Sequence, residues 1–556
     1  MLTKHLPAPR TLIVGLAVCG ALVLPNLTLG DPAPSVPPDH PVYEFLERSE
    51  TRGYLATRLP SIRPFSRGVV ARHLEILRQQ DLSQSDKTEL KRHLAEFTTE
   101  IGGSPTPSKD WSSVFRGDVF SYRDSEVSLV LNPAGRQSVT QRNGSLDPEE
   151  TVSTTRIGFV ARGKGGRRFG FRAQHFEARE WSTRSRNDRV DILSEPIQEV
   201  QFKGNTVDFR ETRFQFLWSN GWLTFDLGKD SFGWGPSPHT NLFLRSSTPS
   251  YYYGRVDIVH RAVRFSHFFG AIASRPGAID TARTTISNGH SRRFKPEKRM
   301  SAHRLEVQIG RFLLGLQESV VYGDRGFELA YITPASVFVG AQSYLDDTDN
   351  LAVGIDISTL ITFRTKIYAS LFFDDLKKFA PTDFATKTAR QAGLHLADPL
   401  GIPNLDAWVE YTHIDPFVYS HLFHVNAYEH FDAPLGHSLG PNADQILWSA
   451  AWRPTGLLRV STTFARLRSG ENFLSDGGQL VNVGGDLQLG QRPEDPFTKT
   501  FLAGTRINRT EWDLALRLDP TKNITLRLTW RLTRESTEGA RLTGRRLDAD
   551  LRFHTF

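Results

Sequence analysis

The sequence predicts an all-β membrane protein, a transmembrane antiparallel β-barrel of about 18 strands behind a small N-terminal α-helical module. Three observations lead there. Short segments in the last third alternate apolar and polar residues at period two. Helix-period segments are almost absent after residue 110, so no partner layer covers the apolar faces. The first thirty residues have the form of a secretory signal peptide. Strands that meet hydrocarbon must close on themselves, because an open edge leaves unpaired N–H and C=O groups with no water to satisfy them.

The alternation is cleanest near the end of the chain. Ile524, Leu526, Leu528, Trp530 and Leu532 share one parity; Trp512, Leu514, Leu516 and Leu518 repeat it, as do Leu547, Ala549, Leu551 and Phe553 against Asp548, Asp550 and Arg552. Residues 168–176, 207–218, 303–309, 351–357, 366–373, 405–411 and 457–464 read the same way. About twenty such segments lie between Trp111 and Phe556, two or three of them expected as loop strands, a number that membrane barrels accommodate. The inward parity carries Arg168, Arg172, Arg304, Glu306, Asp406, Glu410, Arg459, Arg517 and Arg527, which predicts a wet, charged lumen. Long connections are expected near 132–153, 177–196, 228–256, 271–301, 374–390, 413–443, 467–482 and 490–509, and such loops carry function on barrels.

Lys4 and Arg10 precede an apolar run over 11–24, and cleavage is expected near Gly30. The run is shorter than the ~20 apolar residues of a membrane-spanning helix. Cys19 follows Val18 rather than a small residue, which argues against lipidation, and its loss with the leader removes thiolate and disulfide chemistry. The formal charge is +7, with 68 basic and 61 acidic residues, and falls to +5 without Lys4 and Arg10. That excess suits an anionic glycan or lipopolysaccharide partner as well as plain solubility, and no basic aromatic-interleaved cluster points to nucleic acid. Mean hydropathy is −0.36, which is uninformative for a barrel with a polar interior.

Residues 31–40 read as a proline-rich linker, and residues 41–105 as three short helices facing the periplasm. Pro41 opens the first helix over 42–52, which Gly53 ends. A second follows Ser66 with Val70, Leu74 and Leu77 on one face, and a third follows the capping residues Ser83 to Asp86 with Leu90, Leu94 and Phe97 on one face. So small a core is marginal alone and is expected to pack on the barrel or a periplasmic partner.

The helical opening, the stretch GKDSFGWGP ending at Pro236 with NLFLRSSTPS at 241–250, and the segment from Tyr411 to Pro454 resemble, in this order, the outer-membrane capsule-assembly Wzi family. The resemblance implies an 18-stranded outer-membrane barrel with a small periplasmic helical bundle at its inner end, whose best-known members act as a lectin that holds capsular polysaccharide rather than as an open pore; the reading adopted is a monomeric barrel of this type. Ser237, Pro238 and His239 depart from the family's glycines after Trp-Gly-Pro. The rival reading from another class is a channel for ions or oligosaccharides. The first helix pair also resembles surface-layer-homology modules, which would make peptidoglycan a partner.

Candidate chemistry is sparse. His413, Asp415, His421, His424, His430 and His437 are dense enough for metal or acid–base work, but the spacing matches no metal motif, and a loop folding over the barrel mouth is the expectation. No nucleophile signature is present and no cofactor is expected. Flat amphipathic side chains on which sugars stack are the better lead: Trp234, Tyr251, Tyr252, Tyr253 beside Arg255, Trp408 and Tyr411. Phe556 is out of register with the apolar set ending at Phe553, so a bulge near His554–Thr555 is expected to restore the terminal aromatic that barrel-assembly machinery reads.

Overall fold

The computed structural model describes residues 32–103, 117–185, 200–345, 348–376 and 386–553. The signal segment, Trp111 and the terminal Phe556 lie outside them. Eighteen long strands pair antiparallel with their sequence neighbours: β1 (Val127–Gly144), β2 (Glu150–Gly165), β3 (Phe169–Ser182), β4 (Thr206–Ser219), β5 (Leu223–Asp230), β6 (Tyr251–His260), β7 (Val263–Ala273), β8 (Glu297–Ile309), β9 (Phe312–Gly323), β10 (Asn350–Thr362), β11 (Thr365–Leu376), β12 (Thr386–Ala397), β13 (Leu405–Ile414), β14 (Ala443–Thr455), β15 (Leu458–Glu471), β16 (Thr505–Thr521), β17 (Ile524–Thr537) and β18 (Ala540–Phe553). The ring closes where β18 pairs with β1, from Phe553 opposite Gly135 to Gly544 opposite Gly144. Among the described residues no helix is long and apolar enough to cross a membrane.

The two ends of the barrel differ. At one, tight turns such as 310–311, 363–364 and 522–523 join the strands, and at the other the connections reach 231–250, 274–296, 324–349, 415–442 and 472–504. The expected loop over 132–153 shrinks to 145–149, because Arg136 to Arg142 continue the alternation with polar residues on both faces and pair along β18 and β2. Outward-facing Trp512, Leu514, Leu516, Leu526, Leu528, Leu547 and Leu551 are all exposed, forming an apolar exterior that only hydrocarbon can cover.

The three helices α1 (Val42–Thr51), α2 (Arg67–Arg78) and α3 (Gln84–Glu96) form where capping allows. The Ser66 and Ser83 hydroxyls accept the Val69 and Asp86 amides at the first turns of α2 and α3. Their apolar faces meet in one buried cluster that includes Phe45, Leu46, Val70, Leu74, Leu77 and Phe97. The bundle plugs the tight-turn end. Ser85 Oγ donates to the Arg453 carbonyl (3.2 Å), Lys366 Nζ reaches Glu50 Oε2 (2.7 Å) and Thr51 Oγ1 lies 2.8 Å from His395 Nδ1. The proline-rich stretch is not a loose linker. Ser35 N donates to Gln215 Oε1 on β4 (2.8 Å) and Val36 N to the Phe65 carbonyl (2.8 Å), and Ala33 and Val36 are buried.

Candidate functional site: an arginine-lined shaft

Two long connections turn inward rather than over the mouth. In 231–250, Phe232, Trp234, Phe243 and Leu244 are buried, and in 415–442 so are Val418, Tyr419, Tyr428 and Leu435. They pack with inward residues of the wall, among them Phe268, Met300, Val321 and Phe372, into one dry core. Tyr419 Oη donates to the Leu242 carbonyl (2.6 Å) and Tyr428 Oη to the Phe243 carbonyl (2.9 Å), so the two loops are tied to each other. The plug joins them: Ile62 and Arg63 pair as a two-residue strand with Trp234 and Gly233, and Ser61 N donates to Glu306 Oε1 on β8 (2.9 Å). The interior along β6–β13 is therefore closed by this core, and below it a cavity of about 300 Å³ lies between the plug and the walls of β4–β9.

This filling corrects several expectations drawn from the sequence. Trp234, Tyr251 and Tyr253 are buried in the loop core, where no sugar ring can reach their faces. Trp408 is stacked on His395, ring centroids 4.5 Å apart. Tyr252 and Tyr411 have the outward parity and are exposed on the barrel's exterior. Arg255 lies over the Phe232 ring and pairs with Asp257 (2.7 Å). Arg168 sits in the β2–β3 turn, exposed, and does not line the lumen. The other lumen candidates do point inward, but most into packed ion networks rather than water. Arg304 holds Asp356 with two hydrogen bonds (2.6 and 2.9 Å) and Glu306 (3.1 Å). Glu410 accepts from Tyr368 (2.6 Å) and Ser237 (2.7 Å), Arg172 pairs with Asp230, and Asp406 with Arg453. Arg517 reaches Glu44 on the plug (3.2 Å), with Arg527 beside it.

Of the histidine-rich segment 413–437, His430 and His437 are buried against the same core, His413 has the outward parity of Tyr411 and packs on Phe501 (4.1 Å), and residues 422–424 are exposed. His413 Nε2 lies 2.9 Å from Asp415, which also receives Lys499 (2.7 Å), and His430 accepts the Ala273 amide (2.8 Å). Among the described residues only His40, His93 and Glu96 have metal-ligand spacing. Their protons argue against a metal. His40 Nδ1 accepts the Val42 amide (3.0 Å), so its remaining proton is on Nε2, which donates to Glu96 (3.0 Å) and has no lone pair to offer.

Water enters on the opposite wall. From β16 through β18 to β1 the inward parity carries a ladder of ion pairs: Arg509–Glu535 (2.6 Å), Arg531–Asp513 (2.6 Å), Arg546–Asp548 (2.8 Å), Arg136–Asp550 and Arg552–Asp39 (2.8 Å). The arginine side chains are 38, 39, 33, 25 and 13% exposed in that order, so solvent thins from the mouth downwards. At the base lies a cavity of about 490 Å³ under loop 231–250, bounded by Pro37, Pro38 and the walls of β1–β4. That is within the range of small-ligand sites, about 300–1,000 Å³.

Seven arginines line this base: Arg63, Arg136, Arg156, Arg172, Arg213, Arg245 and Arg552. Glu47, Asp550, Asp230, Glu211 and Asp39 pair with five of them. A planar guanidinium binds a carboxylate or phosphate through two parallel N–H donors, so the base suits an anion, while the alternating ladder above offers donors and acceptors to hydroxyl groups. None of these residues except Arg172 stood out in the sequence. Arg552, Asp550, Arg531 and Asp513 carried a usable signal in their shared polar parity, and Arg136 was hidden in a stretch that reads as loop.

A closed eighteen-stranded barrel with a helical plug, a dry loop core on one side and a blind charged shaft on the other defines a plugged membrane barrel with an internal polar site. The chain belongs to the Wzi family: the family model "Capsule assembly protein Wzi" matches residues 134–535. No curated protein sequence matches it. Among solved structures, it is similar to Wzi of Escherichia coli, described as an outer-membrane, carbohydrate-binding β-barrel involved in group 1 capsule assembly, with 12% identity, TM-score 0.56, and coverage of 93% of this chain and 99% of that one. The Pseudomonas aeruginosa barrels OccK9 and OccK7 match at 11 and 9% identity over 77 and 78% of this chain, covering 98 and 99% of theirs, with TM-scores of 0.44 and 0.42, too low to inform the comparison.

Proposed function

We propose that this protein sits in the outer membrane, its tight turns and plug toward the periplasm, and holds an anionic capsular polysaccharide at the cell surface without transforming it. The orientation follows from the rule that outer-membrane barrels have short periplasmic turns and long extracellular loops. One observation carries the reading: the charged shaft along β16–β18 and β1 opens at the long-loop end and ends blind on arginines. A pore needs a path through, and the plug with its ion pairs blocks one. A lectin needs a mouth, hydroxyl-binding rungs and a charged seat, and the shaft offers all three. Membership of the Wzi family and the carbohydrate-binding description of the Escherichia coli relative support the same reading.

Two measurements on the purified protein test it together. In planar bilayers the protein gives no steady open level, and on immobilised polysaccharides it is retained by uronic-acid-containing capsule and released by salt, as a screened charge interaction requires. A steady conductance without glycan retention would replace this reading with a channel.

A further inference from the structure

Among the described residues, one polar row on the barrel's exterior is covered by chain rather than left bare. His267 on β7, His303 on β8 and Glu318 on β9 are register partners, in line with Val353 on β10. All have the outward parity: Phe268 beside His267 is in the dry core, and Leu316, two residues before Glu318, is exposed to the exterior. On β10 the outward apolar set runs from Ile361 to Val353, so the row lies toward the long-loop edge of the apolar band. Bare imidazoles and a carboxylate there would meet hydrocarbon, which is costly.

A helical hairpin covers them. The β9–β10 connection folds back down the outside wall as α4 (Leu329–Ile332) and α5 (Phe338–Tyr344). The Phe338 ring stacks on His303 with centroids 4.4 Å apart, and its amide donates to Glu318 Oε1 (2.8 Å), which also holds His303 Nε2 (2.5 Å). Tyr331 packs on Tyr322 (5.2 Å) and Phe327 on Phe269 (5.6 Å). While its inner side covers polar groups, the outer side of the hairpin presents Leu329, Val337, Val339 and Tyr344, exposed by 75, 65, 50 and 85%.

We propose that this outer side is immersed among the acyl chains of the membrane leaflet on the long-loop side, as an interfacial hairpin that re-covers a stretch of barrel wall too polar to face lipid. The occupant is identified by continuity: the four exposed residues extend the apolar exterior of β9 and β10 (Leu316, Ile355, Ile357) upward without a break in character, with Tyr344 as the amphipathic anchor that interfaces favour. The inference is independent of the polysaccharide reading.

The test uses the full-length protein reconstituted in lipid bilayers with Cys19→Ser and a single nitroxide at Leu329→Cys or Val337→Cys. Collision with oxygen, which concentrates in acyl chains, is compared with collision with a water-soluble nickel chelate. Leu316→Cys provides the lipid reference and Glu538→Cys, in the exposed β17–β18 turn, the water reference. The hairpin labels are expected to favour oxygen severalfold over Glu538→Cys and to approach Leu316→Cys. A water-like ratio at both hairpin positions, or labels shielded from both reagents by another protein copy, would overturn the proposal.

Discussion

Arg48 on the first plug helix and Asp406 on strand β13 face each other across the plug–barrel boundary, Nε to Oδ2 3.3 Å, both fully buried. Asp86 (2.6 Å) completes the shell of Arg48, and Arg453 completes that of Asp406. Removing one member of a buried ionic network strands the others, at a cost of about 3–5 kcal/mol. Asp406→Ala is therefore expected to loosen the plug, seen as intermittent conductance and new protease cleavage between residues 32 and 103 in an otherwise heat-modifiable barrel.

The β14–β15 turn presses on the plug without room for a side chain. A Cβ at Gly456 would meet the Ser85 carbonyl oxygen at 2.5 Å and the Glu89 amide at 2.7 Å, both backbone atoms. Gly456→Val should lower the plug's stability by about 1–3 kcal/mol through overpacking. The same protease assay reads it, and exposed Gly326, where an added Cβ meets nothing within 4 Å, should tolerate change at far lower cost.

Acid should release the plug in two stages. Burial pushes His93 on α3 down to about 4; burial would raise Glu89, but the hydrogen bond from His93 and then the Arg453 and Arg92 guanidinium groups hold it down to about 2. The folded state disfavours protonated His93, so this contribution is present above the unfolded histidine value of 6.5 and is lost as pH falls towards 4. Glu89 is depressed too, so its contribution is present above 4.5 and is lost as pH falls towards 2. Plug protection from protease should weaken below about pH 6, and His93→Leu should flatten that first stage alone.

The faces of β17 give a positional prediction. Leu526 is exposed on the exterior, so Leu526→Arg should cost about 2–4 kcal/mol of barrel stability if it lies near mid-membrane. Arg527 faces the interior beside Arg517 and Arg552, so Arg527→Leu removes a repulsion and should assemble normally. Outer-membrane yield separates the two, and equal yields would contradict the face assignment.

The strand faces and the helices with their caps were legible because each depends on local period and capping chemistry. The same strict alternation placed Leu526 outside and Arg527 inside before any coordinates. Burial of the aromatic candidates was not legible: whether Trp234 or Tyr251 meets sugar or packing depends on a loop turning inward, which is a long-range contact between residues 231–250 and 415–442. The shaft was hidden for a related reason. Arg63, Arg156, Arg245 and Arg552 come from the plug, two barrel strands and an inward loop, and only closure of β18 on β1 brings them to one cavity. The α4–α5 hairpin escaped notice because its two helices are four and seven residues long, below the length at which a 3.6-residue period can be read.

The most direct measurement is the affinity of a uronic-acid oligosaccharide for the intact protein and for Arg156→Gln with Arg245→Gln, alongside a neutral oligosaccharide of equal length. Losing two of the seven arginines at the base should weaken the acidic ligand by about tenfold or more, since hydrogen bonds to charged groups are each worth about 1.5–3 kcal/mol, and should leave the neutral one nearly unchanged. Equal binding of the acidic ligand by both proteins, each still plugged and heat-modifiable, would contradict the shaft as the seat of the polysaccharide.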